Sequence, residues 1–332
     1  MLFFQACLDI NTTSQVNSDG SILRTVTIVG DSAAIFRSDF PFPLDSLWQK
    51  RIDKVEEKKQ DYQLTATRLF KNVGDLNHAL RGALGKTLEF RFELEKSFQW
   101  FFTTYRYSET NLKFIQFDTI PITDFLSRSE IDFWIYHLGE KPIVLTKGDS
   151  LALMDAEPRR EEWERRNKFE AIFAAFLDGA RLLNSPSLKP SFVEASKDTL
   201  YRISQKSLEK DNVDTLRFVF ARFLKSASVH DAWRTNEKVF TEIKRKLDLG
   251  FGSHTYVTSV MMPGLITNSN TRIIEGNKAT WRDYKDIAKC FGYTMWVESR
   301  EVNWWAVILT GSIALGILVL LVASTLRRRN RF

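Results

Sequence analysis

The residues of this chain that invite a chemical reading are four histidines, two cysteines and one glycine-rich hexapeptide. Gly82-Ala83-Leu84-Gly85-Lys86-Thr87 ends as a phosphate-binding loop does. Such a loop cradles phosphate with backbone N–H groups, needs a further glycine ahead of the Gly-Lys-Thr run, and lies between a strand and a helix. Leu80 stands where that glycine belongs and a strand pattern follows, so the segment reads as a glycine-rich helix end. His78, His137, His230 and His254 stand apart, and none has a Cys, Asp or His at a spacing that converges on zinc. His230 and Asp231 are adjacent, but neighbouring side chains point to different sides. No G-x-S-x-G nucleophile elbow occurs. The expectation is a protein with no catalytic residue, no metal and no cofactor, rather than an enzyme.

Cys7 is the remaining reactive candidate. Phe4-Gln5-Ala6-Cys7 matches the end of a bacterial lipobox, in which a small residue precedes the cysteine that becomes acylated. Only Met1 to Ala6 precede it, with no Lys or Arg, whereas a signal peptide has a basic start and an apolar stretch of roughly 7–15 residues. One reading is that translation starts upstream and Cys7 is the lipidated first residue of the mature chain. The other is a free cysteine on an apolar N-terminal strand. Cys290 is the one disulfide partner available to Cys7, and acylation forbids that bond.

The longest uncharged segment predicts a membrane anchor. Trp304 to Leu326 reads WWAVILTGSIALGILVLLVASTL, without charge or proline. At ~1.5 Å per residue it reaches about 34 Å, enough to cross a hydrocarbon core of ~30 Å. Trp304 and Trp305 fit an interfacial aromatic belt, and Arg327, Arg328, Arg329 and Arg331 follow at the other end. Positive flanks usually face the cytoplasm, which places the tail 327–332 inside and residues 1–303 outside. Gly311, Ser312 and Gly316 are small residues of the span. Ser312 and Gly316 form a small-xxx-small pair that admits a second helix, or reflect ordinary glycine usage in membrane helices.

Composition agrees with one anchored globular body. With 44% hydrophobic and 27% charged residues the chain is neither disordered, nor collagen-like, nor a polytopic membrane protein. The net charge of +6 falls to +2 once the four tail arginines are set aside, leaving no concentrated basic face for nucleic acid.

The elements that must carry this anchor follow from periodicity. Asp19-Gly20 closes a hairpin within 12–40, where Leu23, Val26, Ile28 and Val29 form a β-rich run ended by Pro41-Phe42-Pro43. Leu47, Ile52, Val55, Tyr62 and Leu69 predict a helix over 45–72, with the Lys-Glu-rich stretch 50–60 as its solvated face. Residues 87–118 alternate with period two, which predicts two antiparallel strands turning after Lys96-Ser97 and a bulge near Thr103-Thr104, where the parity changes. Residues 126–250 carry helical spacing throughout, with Pro158 in the first turn of one helix and further helices at 189–206, 211–226 and 229–247. Residues 254–300 return to strands, with turns at Pro263-Gly264, Asn268-Ser269-Asn270 and Glu275-Gly276-Asn277 and a short helix from Asp283 to Phe291.

The expected fold class is α+β. An antiparallel sheet is built from the N- and C-terminal segments, with a large helical insertion and one C-terminal transmembrane helix. The expected division is a truncated signal or lipobox at 1–7, a β-rich part at 8–125, the helical insertion at 126–250, a β-rich part completing the domain at 251–303, the span at 304–326 and the basic tail at 327–332. The abundant Phe and Trp serve core packing, an apolar cavity beside the Phe90–Tyr107 sheet, or an exposed aromatic patch with Trp134, Trp163 and Trp233 as candidates.

Gln5-Ala6-Cys7, Ser18-Asp19-Gly20-Ser21, Met262-Pro263-Gly264, Asn268-Ser269-Asn270, Gly276-Asn277 and Trp281, closed by a single helix and a basic tail, together resemble bacterial LppM-type membrane-anchored lipoproteins at the two ends of the chain. The resemblance implies an extracytoplasmic α+β domain with a lipid-binding cavity. The helical stretch 126–250 and the short N-terminus depart from the family pattern. The function expected is an envelope binding or interaction protein. Its partners are the membrane and either a lipid or other apolar ligand, or a protein of a membrane complex.

Overall fold

The turn at Asp19-Gly20 sets the first strand register in the computed structural model, which describes residues 8–37, 40, 44–55, 61–80, 89–113, 119–137, 146–209, 213–251, 255–282 and 292–329. Gly20 takes φ 93°, a left-handed conformation that suits glycine, and β1 (Asp9–Val16) folds back onto β2 (Ile22–Asp31) with Val16 opposite Ile22. Alternate residues of both strands are buried, Ile10, Thr12, Ser14 and Val16 on β1 and Ile22, Arg24, Val26 and Ile28 on β2. One face of the hairpin therefore belongs to the core.

The expected α+β architecture is present, with strands from both ends of the chain joined. A seven-stranded sheet has the order β3-β4-β2-β1-β7-β10-β9, with β3 Gln49–Lys54, β4 Asp61–Phe70, β7 Thr255–Met261, β9 Ile273–Glu275 and β10 Lys278–Arg282. A second sheet orders β5 (Glu89–Gln99), β6 (Phe102–Lys113), β11 (Tyr293–Val302) and β8 (Leu265–Ser269), all antiparallel. In the seven-stranded sheet the seam between early and late chain is β1 against β7, and this one pair is parallel, while in the second sheet β6 meets β11 antiparallel. Parallel neighbours need a long crossover, which the intervening helices supply. Thr12 and Thr258 share a buried hydroxyl contact of 3.0 Å across the seam.

Among the strands, two sequence expectations need correction. Residues 45–72 hold strands β3 and β4 rather than a helix. Leu64, Ala66 and Phe70 face the core at even spacing, with Thr65 and Thr67 between them, whereas the helix-spaced Leu47, Ile52 and Leu69 are exposed. The other concerns the β5–β6 hairpin. Its strands run through Lys96-Ser97 and turn at Trp100-Phe101, since Gln99 pairs with Phe102. Even residues of β5 thus face odd residues of β6, and the parity change follows from the two-residue turn without a bulge at Thr103-Thr104.

The helical insertion packs around aromatic side chains. After α1 (Ser32–Arg37) and α2 (Val73–Leu80), which pack on the strands, its described helices are α3 (Arg128–His137), α4 (Lys147–Leu183), α5 (Pro190–Ala195), α6 (Lys197–Glu209), α7 (Val213–Leu224), α8 (Ser228–Thr235) and α9 (Glu237–Phe251). Thr146 and Asp149 form a capping box at the start of α4, so Pro158 lies inside that helix rather than in its first turn. Phe169, Phe176, Phe220 and Trp233 pack edge to face or tilted, and Trp233 stacks on Phe240 at 3.9 Å. Trp163 and Trp233 are buried, so they form no exposed patch. The side chain of Trp134 lies outside the described residues.

Candidate membrane interface

β11 ends at Val302, Asn303 intervenes, and the C-terminal helix Trp304–Arg329 begins at once. Within it, Trp304–Leu326 is long and apolar enough to cross a membrane, and the body covers little of it. Trp304, Trp305, Gly311, Ser312 and Gly316 are all exposed, and a Cβ added at Gly311 or Gly316 would meet open space. The small-residue face carries no partner from the described part of this chain. Arg327, Arg328 and Arg329 form the last turn. Cys7 and Arg331 lie outside the described residues, as do Gly82–Thr87, His254, Cys290 and the helix expected at 283–291.

Asn303 ties the helix to the body. Its Nδ2 donates to the Gln99 carbonyl at 2.8 Å and to the Trp100 carbonyl at 3.3 Å. Its Oδ1 accepts from Thr103 Oγ1 at 2.9 Å, and its backbone N–H donates to the Phe101 carbonyl at 2.9 Å. Its own carbonyl accepts from the N–H groups of Ala306 and Val307, opening the helix. Every polar group of Asn303 is therefore used to clamp the β5–β6 turn against the first turn of the helix. The aromatic side chains follow: Phe98 stacks with Trp305 at 6.2 Å, and Trp100 meets Trp305 edge to face at 5.4 Å. Trp100 Nε1 donates to Thr310 Oγ1 at 2.9 Å.

The β1–β2 turn sits at the same end. Ser18 Oγ donates to Glu301 at 2.9 Å, and Lys96 Nζ donates to the Ser18 carbonyl at 2.7 Å. Tyr105 reaches both Ser18 and Glu301, and burial together with the Glu301 carboxylate pushes its hydroxyl up to about 12. The Asp19 carboxyl is held below its usual range by the Ser21 hydroxyl and N–H. This is a hydrogen-bonded platform around the root of the helix.

The interior holds a charged pair that sequence reasoning did not single out. Arg24 on β2 meets Glu109 on β6 through two bonds of 2.6 and 2.9 Å, and both side chains are 1% exposed. Ser14 accepts from Arg24 at 2.6 Å and from the Tyr107 hydroxyl at 3.2 Å, and Arg24 lies over the Phe92 ring. Burial raises the Tyr107 hydroxyl well above the ordinary tyrosine range. The cluster bridges the two sheets, and its charged side chains are closed to solvent. Its signal was parity: Arg24 shares β2's inward parity with Ile22 and Val26, and Glu109 shares β6's with Tyr105 and Tyr107.

An open groove of about 490 Å³ lies at the β4–α2 edge, where α2 is Val73–Leu80. Leu47, Leu69 and Phe70 give it an apolar side, and Arg68, Lys71, Asp45 and Asp75 a charged one. His78 lines it too. Among the described residues no three His, Cys, Asp or Glu side chains gather as a metal site.

Comparison with known proteins adds one loose likeness. No family model matches the chain, and no curated protein matches it. Among solved structures, the NMR structure of the folded domain of LppM from Mycobacterium tuberculosis matches over 91% of this chain and 95% of that one. The identity is 9% and the TM-score 0.30, a loose structural resemblance that says nothing about function.

The motifs at the two ends have local structural jobs. Gly264 has φ 70° and a Cβ there would lie 2.2 Å from the Arg300 carbonyl oxygen, so the turn after β7 closes onto β11 only with glycine. Asn277 Nδ2 donates to the Met262 carbonyl, and Trp281 Nε1 donates to Asn270 Oδ1. Phe90, Phe92, Tyr105 and Tyr107, the residues expected beside an apolar cavity, are buried in the core.

Proposed function

We propose that this chain is a membrane-anchored, extracytoplasmic binding protein that presents its α+β body at a membrane surface to a lipid or other apolar ligand. One observation carries the reading: the 23-residue apolar helix leaves the body directly from a central strand of the second sheet and stays uncovered by it. The basic tail supports an orientation with the body outside. Acylation of Cys7 would add a second anchor, and two anchors hold a protein stably where one acyl chain binds only marginally.

Intact mass of the protein purified from its native membrane is the test. A diacyl or triacyl increment on a chain beginning at Cys7 is the expected result. An unmodified chain retaining Met1 removes the lipoprotein reading and leaves the helix as the sole anchor. The body's side is read separately: protease added outside spheroplasts degrades it, and protection of the body overturns the orientation.

A second reading, an accessory subunit of a membrane complex, draws on Phe192 and Phe218, which are exposed on the helical insertion, together with the open Ser312/Gly316 face. A stoichiometric partner co-purifying in mild detergent favours it. A monomer without one discards it.

A further inference from the structure

We infer that the β5–β6 hairpin tip is itself a membrane-inserting element, whose occupant is the interfacial layer of the same bilayer that the C-terminal helix crosses. The inference rests on the anchoring role proposed for that helix.

The tip projects Phe98, Trp100 and Phe101, which are 58%, 48% and 41% exposed. Three large apolar side chains, two on the turn and one on β5 beside it, are costly to leave in water. Aromatic residues of this kind concentrate at membrane–water interfaces, where the ring is sheltered and any polar edge finds a partner.

Depth follows from the contact with the helix. Trp100 reaches Thr310, six residues past Trp304. At ~1.5 Å per residue that is about 9 Å along the axis from the start of the span. Interfacial apolar groups bury themselves ~5–10 Å into the headgroup and acyl boundary, so a helix that spans carries Trp100 to that depth. The hydrogen bond is consistent with this setting. An indole N–H below the headgroups lacks water, and the Thr310 hydroxyl accepts from it. The Asn303 clamp holds the turn beside the helix, so the tip enters as a rigid extension of the anchor. Leu265, at the β11-facing start of β8 opposite Arg300, adds an exposed apolar side chain near the same end.

The experiment uses the full chain with Cys7→Ala and Cys290→Ser, reconstituted in phosphatidylcholine nanodiscs. A nitroxide is attached in separate samples at Phe101→Cys, Phe98→Cys, Leu309→Cys within the span, and Gln49→Cys on the exposed edge strand. Collision with oxygen is compared with collision with a water-soluble nickel chelate. The expected result is that Phe98 and Phe101 labels favour oxygen, as the Leu309 label does, while the Gln49 label favours nickel. Labels at both tip positions behaving like Gln49, with Leu309 in lipid, overturn the inference and leave the anchor standing. A Leu309 label in water overturns both. The two tip positions are exposed side chains, so either one reports independently if the other disturbs the turn.

Discussion

Arg24 and Glu109 stand on different sheets and lock them together through a two-point ion pair that is closed to solvent. Removing one partner of such a pair strands the other charge in the interior, at a cost of ~3–5 kcal/mol. Glu109→Ala should therefore lower the unfolding free energy of the detergent-solubilised chain by that order. Arg24→Met with Glu109→Leu should lose much less, because no charge is left unpaired. Equal losses in the single and double variants would show that packing, not charge, dominates the site.

Gly179 on α4 faces the backbone of α8 so closely that a Cβ would sit 2.3 Å from the Ala232 carbonyl oxygen. Backbone cannot retreat as a flexible side chain can, and overpacking of this kind costs ~1–3 kcal/mol or more. Gly179→Ala is expected to lower the thermal midpoint despite alanine's better helix propensity. A raised midpoint would mean that α8 shifts freely against α4.

Glu130 joins α3 to α4. It accepts two bonds from Arg159 and one each from the Ser127 hydroxyl and N–H, and these hold its carboxyl down to about 2. A carboxyl held below its unfolded value stabilises the fold above that value and loses the contribution as pH falls toward the folded one. The site is partly exposed, so screening keeps the effect small. Hydrogen exchange in α3 should rise as pH drops from the ordinary glutamate range toward 2, after correction for intrinsic exchange. Glu130→Gln should flatten that rise, and an unchanged profile in the variant would assign it to other groups.

Asn303→Ala removes the side-chain bonds to Gln99, Trp100 and Thr103 while leaving the backbone bond to Phe101. At ~0.5–1.5 kcal/mol per bond, about 1.5–4.5 kcal/mol of local stability should go. Amide exchange at the β5–β6 tip reads this directly. The span keeps its apolar length, so membrane retention is expected to persist. Unchanged exchange at the tip would show that the aromatic contacts with Trp305 alone hold the turn.

Some of this was legible residue by residue. Twenty-three uncharged residues that open on two tryptophans and lead into an arginine cluster specify a helix long enough to cross a membrane, because hydropathy and length act locally. The period-two run at 89–99 and the β-rich run that became β2 specify strands for the same reason. At 45–72 the local signal misled. Charged residues and helix-spaced apolar ones masked the Thr-rich alternation of β4, which becomes a strand because β2 offers it a continuous edge.

Partnership is what a local pattern does not carry. Alternation states which side chains face inward but not which strand lies alongside, so the parallel seam between β1 and β7, joining residues 246 apart, came only from the fold. Arg24 and Glu109 were visible as charges on inward faces, yet each is tolerable only because the other lies opposite it across the core. Asn303 is an ordinary polar residue between a strand and a helix until the β5–β6 turn folds back to meet it. Pattern and length suffice where each residue answers to water or lipid alone; where a group is stable only against a distant partner, the three-dimensional arrangement decides.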